Sequence, residues 1–179
     1  MKNSILICFL VCCTVSFAQE KLMTKNGKIK FEASVPTFEE IKATNENVTC
    51  ILNTRTGEIA SLALIKGFKF KIALMEEHFN ENYLESTRYP KATFKGKIKD
   101  FNFSQLSTVA KEFALKGELE LHGKTKEINT IAKIKNTAKG VEIETNFAVN
   151  ASDFDIDIPS VVKYKISNKI SISNVFVLK

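Results

Sequence analysis

Short runs in which a large apolar side chain alternates with a lysine set the tightest limit on what this chain can become. Phe68-Lys69-Phe70-Lys71-Ile72 is one, and Ala92-Thr93-Phe94-Lys95-Gly96-Lys97-Ile98-Lys99 is another. Successive side chains of a strand point to opposite faces, so the pattern builds a sheet with an apolar side and a wet side. Such a sheet either packs on a partner layer or curls around its own apolar face. Strand signals of this kind occupy residues 27–33, 47–54, 58–66, 68–74, 91–101, 112–122, 125–135, 139–150 and 165–178. Thr56-Gly57, Gly67, Pro90, Gly123 and Gly140 punctuate them. Eight or nine consecutive antiparallel strands predict an all-β fold, and periodicity alone leaves sandwich and barrel open.

Two short helical pieces are expected. One covers residues 37–42 after Pro36; the other covers residues 75–86, where Met75, Phe79 and Tyr83 recur every four residues. Residues 158–162 read as a turn or the start of a helix. The inward rows are Phe68, Phe70, Ile72 and Leu74; Phe94, Gly96 and Ile98; Phe113, Leu115, Gly117, Leu119 and Leu121; and Val141, Ile143, Phe147 and Val149. Fourteen phenylalanines and no tryptophan make that interior bulky and poor in polar handles. Gly96 and Gly117 interrupt it, which predicts a strand bend or bulge; room for a ligand against the backbone is the alternative.

Residues 1–18 have the layout of a secretory signal: Lys2, an apolar run from Ile5 to Val15, then Ser16-Phe17-Ala18. The run is too short to span a membrane, and cleavage is expected after Ala18. Val11 and Cys12 precede the two candidate cysteines where lipid attachment wants a small residue, so a lipoprotein is not expected. Residues 19–179 then form a single domain, periplasmic or secreted. Three of the four cysteines fall in the signal, leaving Cys50 without an internal disulfide partner. In Val48-Thr49-Cys50-Ile51-Leu52 it reads as a small hydrophobe. The net charge is +6, with lysines spread along strands as on a solvated face. The phenylalanines fall on the opposite face, so no nucleic acid is expected, whereas peripheral contact with an acidic membrane surface suits the charge.

His78 and His122 are the only histidines. His78 lies among Glu76, Glu77 and Glu81, but a third ligand and an i, i+4 histidine pair are missing, so no metal is expected. The structural reading has His122 pinning the turn at Gly123 and His78 bracing the helical segment. Neither a nucleophile elbow nor a phosphate-cradling glycine loop occurs, so the chain is read as a non-enzyme without a cofactor.

Several segments carry a resemblance. They are Thr56-Gly57-Glu58-Ile59, Glu77-His78-Phe79, Tyr89-Pro90-Lys91-Ala92-Thr93-Phe94, the run from Lys116 to Lys126 (KGELELHGKTK) and Ser152-Asp153-Phe154-Asp155-Ile156. In this order they resemble the YceI-like family of exported polyisoprenoid-binding proteins. The resemblance implies an antiparallel lipocalin-like β-barrel of about eight strands, with one or two short helices. It also implies an interior that holds a long apolar chain (isoprenoid, quinone or fatty acyl) without catalysis. The absence of tryptophan separates the chain from true lipocalins. Combined with the inward rows, the resemblance makes Phe68, Phe70, Ile72, Phe94, Leu115, Leu119, Phe147 and Val149 the expected lining. His78, Phe79, Tyr83 and Arg88 are the expected mouth, with Lys163 a further head-group candidate. Asp155 stands where the family usually has Gly, and Asp153, Asp155 and Asp157 form an acidic row placed to bias head-group choice. Two other readings stay open: an envelope-stress or interaction module whose core is filled by its own phenylalanines, and a weak enzyme using His78 or His122. Monomer and dimer are both compatible with the sequence.

Overall fold

The alternating runs become nine strands: β1 (Lys21–Ser34), β2 (Lys42–Asn53), β3 (Glu58–Leu64), β4 (Lys69–Phe70), β5 (Lys91–Ile98), β6 (Lys111–Leu121), β7 (Lys124–Thr137), β8 (Gly140–Asn150) and β9 (Ile166–Leu178). The structure, a computed structural model, describes residues 20–179, and the expected signal segment lies outside them. Antiparallel pairing runs β1-β9-β8-β7-β6-β5-β3-β2, and β1 pairs with β2 to close the ring. Eight strands therefore make a barrel without free edges, which answers the sandwich-or-barrel question. The two-residue β4 only extends the β2 ladder at Ala43 and Thr44. No helix among the described residues is long and apolar enough to cross a membrane.

The two ends of the barrel differ. Ile98, Ile134, Ile143, Leu52 and Leu178 are fully buried and fill one end. The loop after β5 closes that end: Leu106 is buried, and Asn136 Nδ2 donates to its carbonyl at 3.0 Å. At the other end lie the β1–β2 loop, the long β3–β5 connection, the β6–β7 turn and the β8–β9 loop. That end carries a short helix α1 (Ala73–His78), which continues into a π-helical turn at Phe79–Tyr83. The wide turn is closed by the Leu84 N–H donating to the Phe79 carbonyl at 2.9 Å.

Three local expectations need correction. Residues 37–42 are not helical, because Thr37 adopts φ 78°. Ile41 instead accepts the Ala33 N–H at 2.9 Å and leads into β2. The strand expected at 68–74 ends at Phe70. There Glu76 reaches back to accept the Phe70 N–H at 3.2 Å and binds Lys69, so the helical spacing that begins at Met75 takes over. Finally, Gly96 and Gly117 make no bulge. They face each other in an unbroken β5–β6 register, and a Cβ on Gly117 would lie 2.5 Å from Cζ of Phe94. The space the glycines leave is taken by the Phe94 ring.

Candidate ligand-binding cavity

Between the filled end and the loop-bearing end lies a cavity of about 520 Å³. This is within the range of small-molecule sites. Its wall is the inward rows of the barrel, and its lip comes from the β1–β2 loop, the helical segment and the β8–β9 loop. Phe68, Phe70, Phe94, Leu115, Leu119, Phe147 and Val149 all line it. So do His78, Phe79 and Tyr83 at the lip, which places Met75, Phe79 and Tyr83 on the lumen side as their four-residue spacing implied.

Two expected residues do not line the lumen. Ile72 is the residue before α1, where the backbone has left the strand and its alternation no longer applies. Arg88 is exposed, with its guanidinium 5.0 Å from the centre of the Tyr89 ring. Lys163 is likewise absent from the lining, and the lysine that reaches it is Lys165. The acidic row also points away. Phe154, Ile156 and Ile158 face the lumen while Asp155 pairs with Lys124 at 2.7 Å and Asp153 approaches Lys126 at 3.9 Å. The hydrogen bond from Lys124 holds the Asp155 carboxyl below its usual range.

Phe79 anchors the mouth. Its ring centre lies 5.3 Å from Phe31, 5.1 Å from Phe70 and 5.9 Å from Phe68. Contacts of this kind add to simple burial because ring edges and faces carry opposite partial charge. Phe31 is a lining residue that the inward rows omitted, although Ile29-Lys30-Phe31-Glu32-Ala33 alternates clearly. The β9 row Ile170, Ile172, Asn174 and Phe176 also lines the cavity, outside the inward rows that the sequence predicts.

Charged and titratable groups gather at the lip. Glu39, His78, Tyr83 and Lys165 border the opening, and burial raises the Tyr83 hydroxyl above its ordinary value. No three His, Cys, Asp or Glu side chains converge as metal ligands among the described residues. His122 is held by protein partners on both ring nitrogens: Nδ1 lies 2.9 Å from the Phe154 carbonyl and Nε2 2.9 Å from the Glu85 carboxylate. Cys50 is buried in the filled end, where burial pushes its thiol up to about 12. A thiol held protonated this way is a poor nucleophile at neutral pH.

The family model described as the YceI-like domain matches residues 14–178. No protein of curated function matches the chain. Among solved structures, a polyisoprenoid-binding domain from Saccharophagus degradans, described as implicated in plant cell wall breakdown, aligns with TM-score 0.74 at 15% identity. The alignment covers 89% of this chain and 98% of that one. Burkholderia cenocepacia BcnA aligns with TM-score 0.70 at 10% identity, covering 86% and 96%. A Campylobacter jejuni YCEI protein aligns with TM-score 0.63 at 16% identity, covering 81% and 87%. At these identities the likeness carries the fold.

Proposed function

This chain belongs to the YceI-like domain family, and on that premise we propose that it is an exported carrier or scavenger of one long apolar molecule, held in the barrel lumen. The observation that carries the reading is the open, apolar cavity of about 520 Å³ behind the Phe31–Phe79 stack. A filled-core interaction module would have spent that volume on its own side chains. Burying methylenes gains about 0.8 kcal/mol each, so a dozen offer on the order of 10 kcal/mol before ordering costs. Likeness to the polyisoprenoid-binding domain of Saccharophagus degradans supports an isoprenoid tail as the first candidate, with quinone and fatty acyl chains next.

No catalytic step is assigned. The lumen wall is chiefly aliphatic and aromatic, and both nitrogens of His122 are engaged in holding loops. Export rests on the sequence of residues 1–18, which points to the periplasm or the exterior.

Loading from a bilayer fits the lip. Phe38, Val161 and Tyr164 are exposed there; Phe38 and Tyr164 meet edge to face at 5.4 Å, and Lys165 Nζ lies 5.3 Å from the Tyr164 ring centre. Aromatic side chains beside lysines suit the headgroup layer of an anionic membrane. Sedimentation with anionic vesicles that is unchanged in Tyr164→Glu would count against this contact.

The carrier reading is tested by native mass spectrometry of protein purified without detergent, followed by organic extraction. A stoichiometric mass increment that extracts as a lipid supports it and identifies the tail. A bare polypeptide that stays bare after incubation with isoprenoids, quinones and fatty acids overturns it in favour of the interaction module.

A further inference from the structure

Besides scattered wall residues such as Ser61 and Thr130, the lumen carries a directly paired and buried polar couple at its deep end. Thr145 of β8 and Asn174 of β9 are direct cross-strand partners. Each interrupts an apolar inward row, Ile143-Thr145-Phe147 on one strand and Ile172-Asn174-Phe176 on the other. Both line the cavity, and both are more than nine-tenths buried, at 4% and 8% exposure. Toward the closed end the next inward residues are both buried, Ile143 in the packed core and Phe176 at the edge of the lining; toward the mouth, Phe147 and Ile172 are half-buried lining. The pair therefore lies deep in the lumen, beside the packed core.

Its hydrogen bonding is incomplete. Asn174 Nδ2 donates to Thr145 Oγ1 at 2.9 Å, while Asn174 Oδ1 is buried with no partner. Thr145, having accepted that bond, keeps its own hydroxyl proton to donate. A buried acceptor without a donor is costly, and an apolar pair of the same shape would avoid the cost. The terminal torsion of an asparagine is broad, so a small rotation turns the free oxygen toward an incoming group.

We propose that Thr145 and Asn174 form an inner polar subsite for the leading end of the ligand, and that this end both donates and accepts a hydrogen bond. A hydroxyl or a primary amide has that chemistry. It would give its proton to Asn174 Oδ1 and accept from Thr145, with the tail running back toward Phe31, Phe70 and Phe79. The ligand then lies polar end inward. This rests on the carrier reading, since it needs an apolar chain in the lumen, but it adds an orientation and a head-group class.

Dodecanol and methyl undecyl ether match in length and differ in the donor. Their affinities are compared by displacement of a fluorescent fatty-acid probe from the parent protein and from Thr145→Val/Asn174→Leu, with Asn174→Leu alone as a second variant. The expected result is that the parent binds the alcohol about tenfold tighter, as one added hydrogen bond to an otherwise unpaired buried acceptor would allow, and that the preference vanishes in both variants. Equal affinities for the two compounds in the parent overturn the subsite and leave the carrier reading standing. A preference that survives in the variants also overturns it and moves head-group recognition to the lip. Failure of the parent to bind the probe or either compound overturns both readings together.

Discussion

His122 meets Glu85 at 2.9 Å across 37 positions of sequence, Nε2 against a carboxylate oxygen. Its other nitrogen faces the Phe154 carbonyl, and the Tyr89 ring packs edge to face on it at 4.5 Å. Both polar partners are acceptors, so the two bonds form together when the ring carries two protons. One side chain thus ties the β6–β7 turn to the end of the β3–β5 connection and to the β8–β9 loop. The turn is built for it: His122 and Gly123 both have positive φ, 50° and 74°, as a tight two-residue hairpin requires. His122→Ala should cost about 1–3 kcal/mol, chiefly through the Phe154 carbonyl left unpaired since the half-exposed Glu85 carboxylate can return to water, and should lower the melting midpoint by several degrees. Amide exchange should quicken at residues 84–90 and 151–156 and stay slow around Ile98 and Ile134. Uniform acceleration across the barrel would refute a role confined to the loops.

A second prediction concerns the glycine pair under Phe94. A Cβ on Gly117 would stand 2.5 Å from the Lys95 carbonyl oxygen as well as from the Phe94 ring. Ring atoms can move but the facing backbone cannot do so cheaply. Gly117→Ala should therefore destabilise the barrel by about 1–3 kcal/mol, as overpacking does. Adding Phe94→Ala should recover only part of the overpacking, since the carbonyl contact remains. Full recovery in urea unfolding of the double variant would mean that the ring alone sets the requirement.

The barrel itself was legible because alternation is a local property, and eight of the nine strands fall close to where apolar–lysine patterning put them. What patterning could not reach were contacts between distant segments. Glu76 turning back onto Phe70 ended a strand that looked continuous to Leu74. The closure of β1 on β2 has no signature within either strand. Asp155 has φ 54°, a backbone conformation that favours glycine, and is accommodated beside Lys124, a partner 31 positions away in the chain. The lumen was half legible. Rows rich in phenylalanine announced their inward faces, whereas Thr145 and Asn174 looked like lapses in their rows. Those lapses were the available signal for a polar floor.

If the lumen holds an apolar chain, a charge planted on its wall should exclude it. Phe147 and Phe70 line the cavity from different parts of the ring and are only half-buried, so each can be exchanged without dismantling the filled end. An aspartate there would either stay ionised and hydrated, occupying the lumen with water, or be neutralised at a cost. Phe147→Asp and Phe70→Asp should each weaken chain binding at least a hundredfold while the far-ultraviolet dichroism of the barrel persists. Undiminished lipid occupancy in a folded variant would place the chain outside this lumen.

Cys50 offers a readout of the filled end. Burial raises its thiol to about 12, whereas an unfolded cysteine titrates near 8.5. The native state thus keeps a proton that the unfolded chain releases. The resulting stabilisation is whole below the unfolded value and drains away as pH climbs from there toward about 12. Cys50→Ala lacks this dependence. Between about pH 8 and 10.5 the parent's unfolding free energy should therefore fall more steeply than the variant's, by up to about 1.4 kcal/mol per pH unit. Equal slopes would mean that the thiol reaches water without unfolding. Alkylation gives the kinetic counterpart. At about pH 8 iodoacetamide should leave Cys50 unmodified by peptide mapping until denaturant unfolds the barrel, and rapid labelling of the native protein would show that the filled end opens locally.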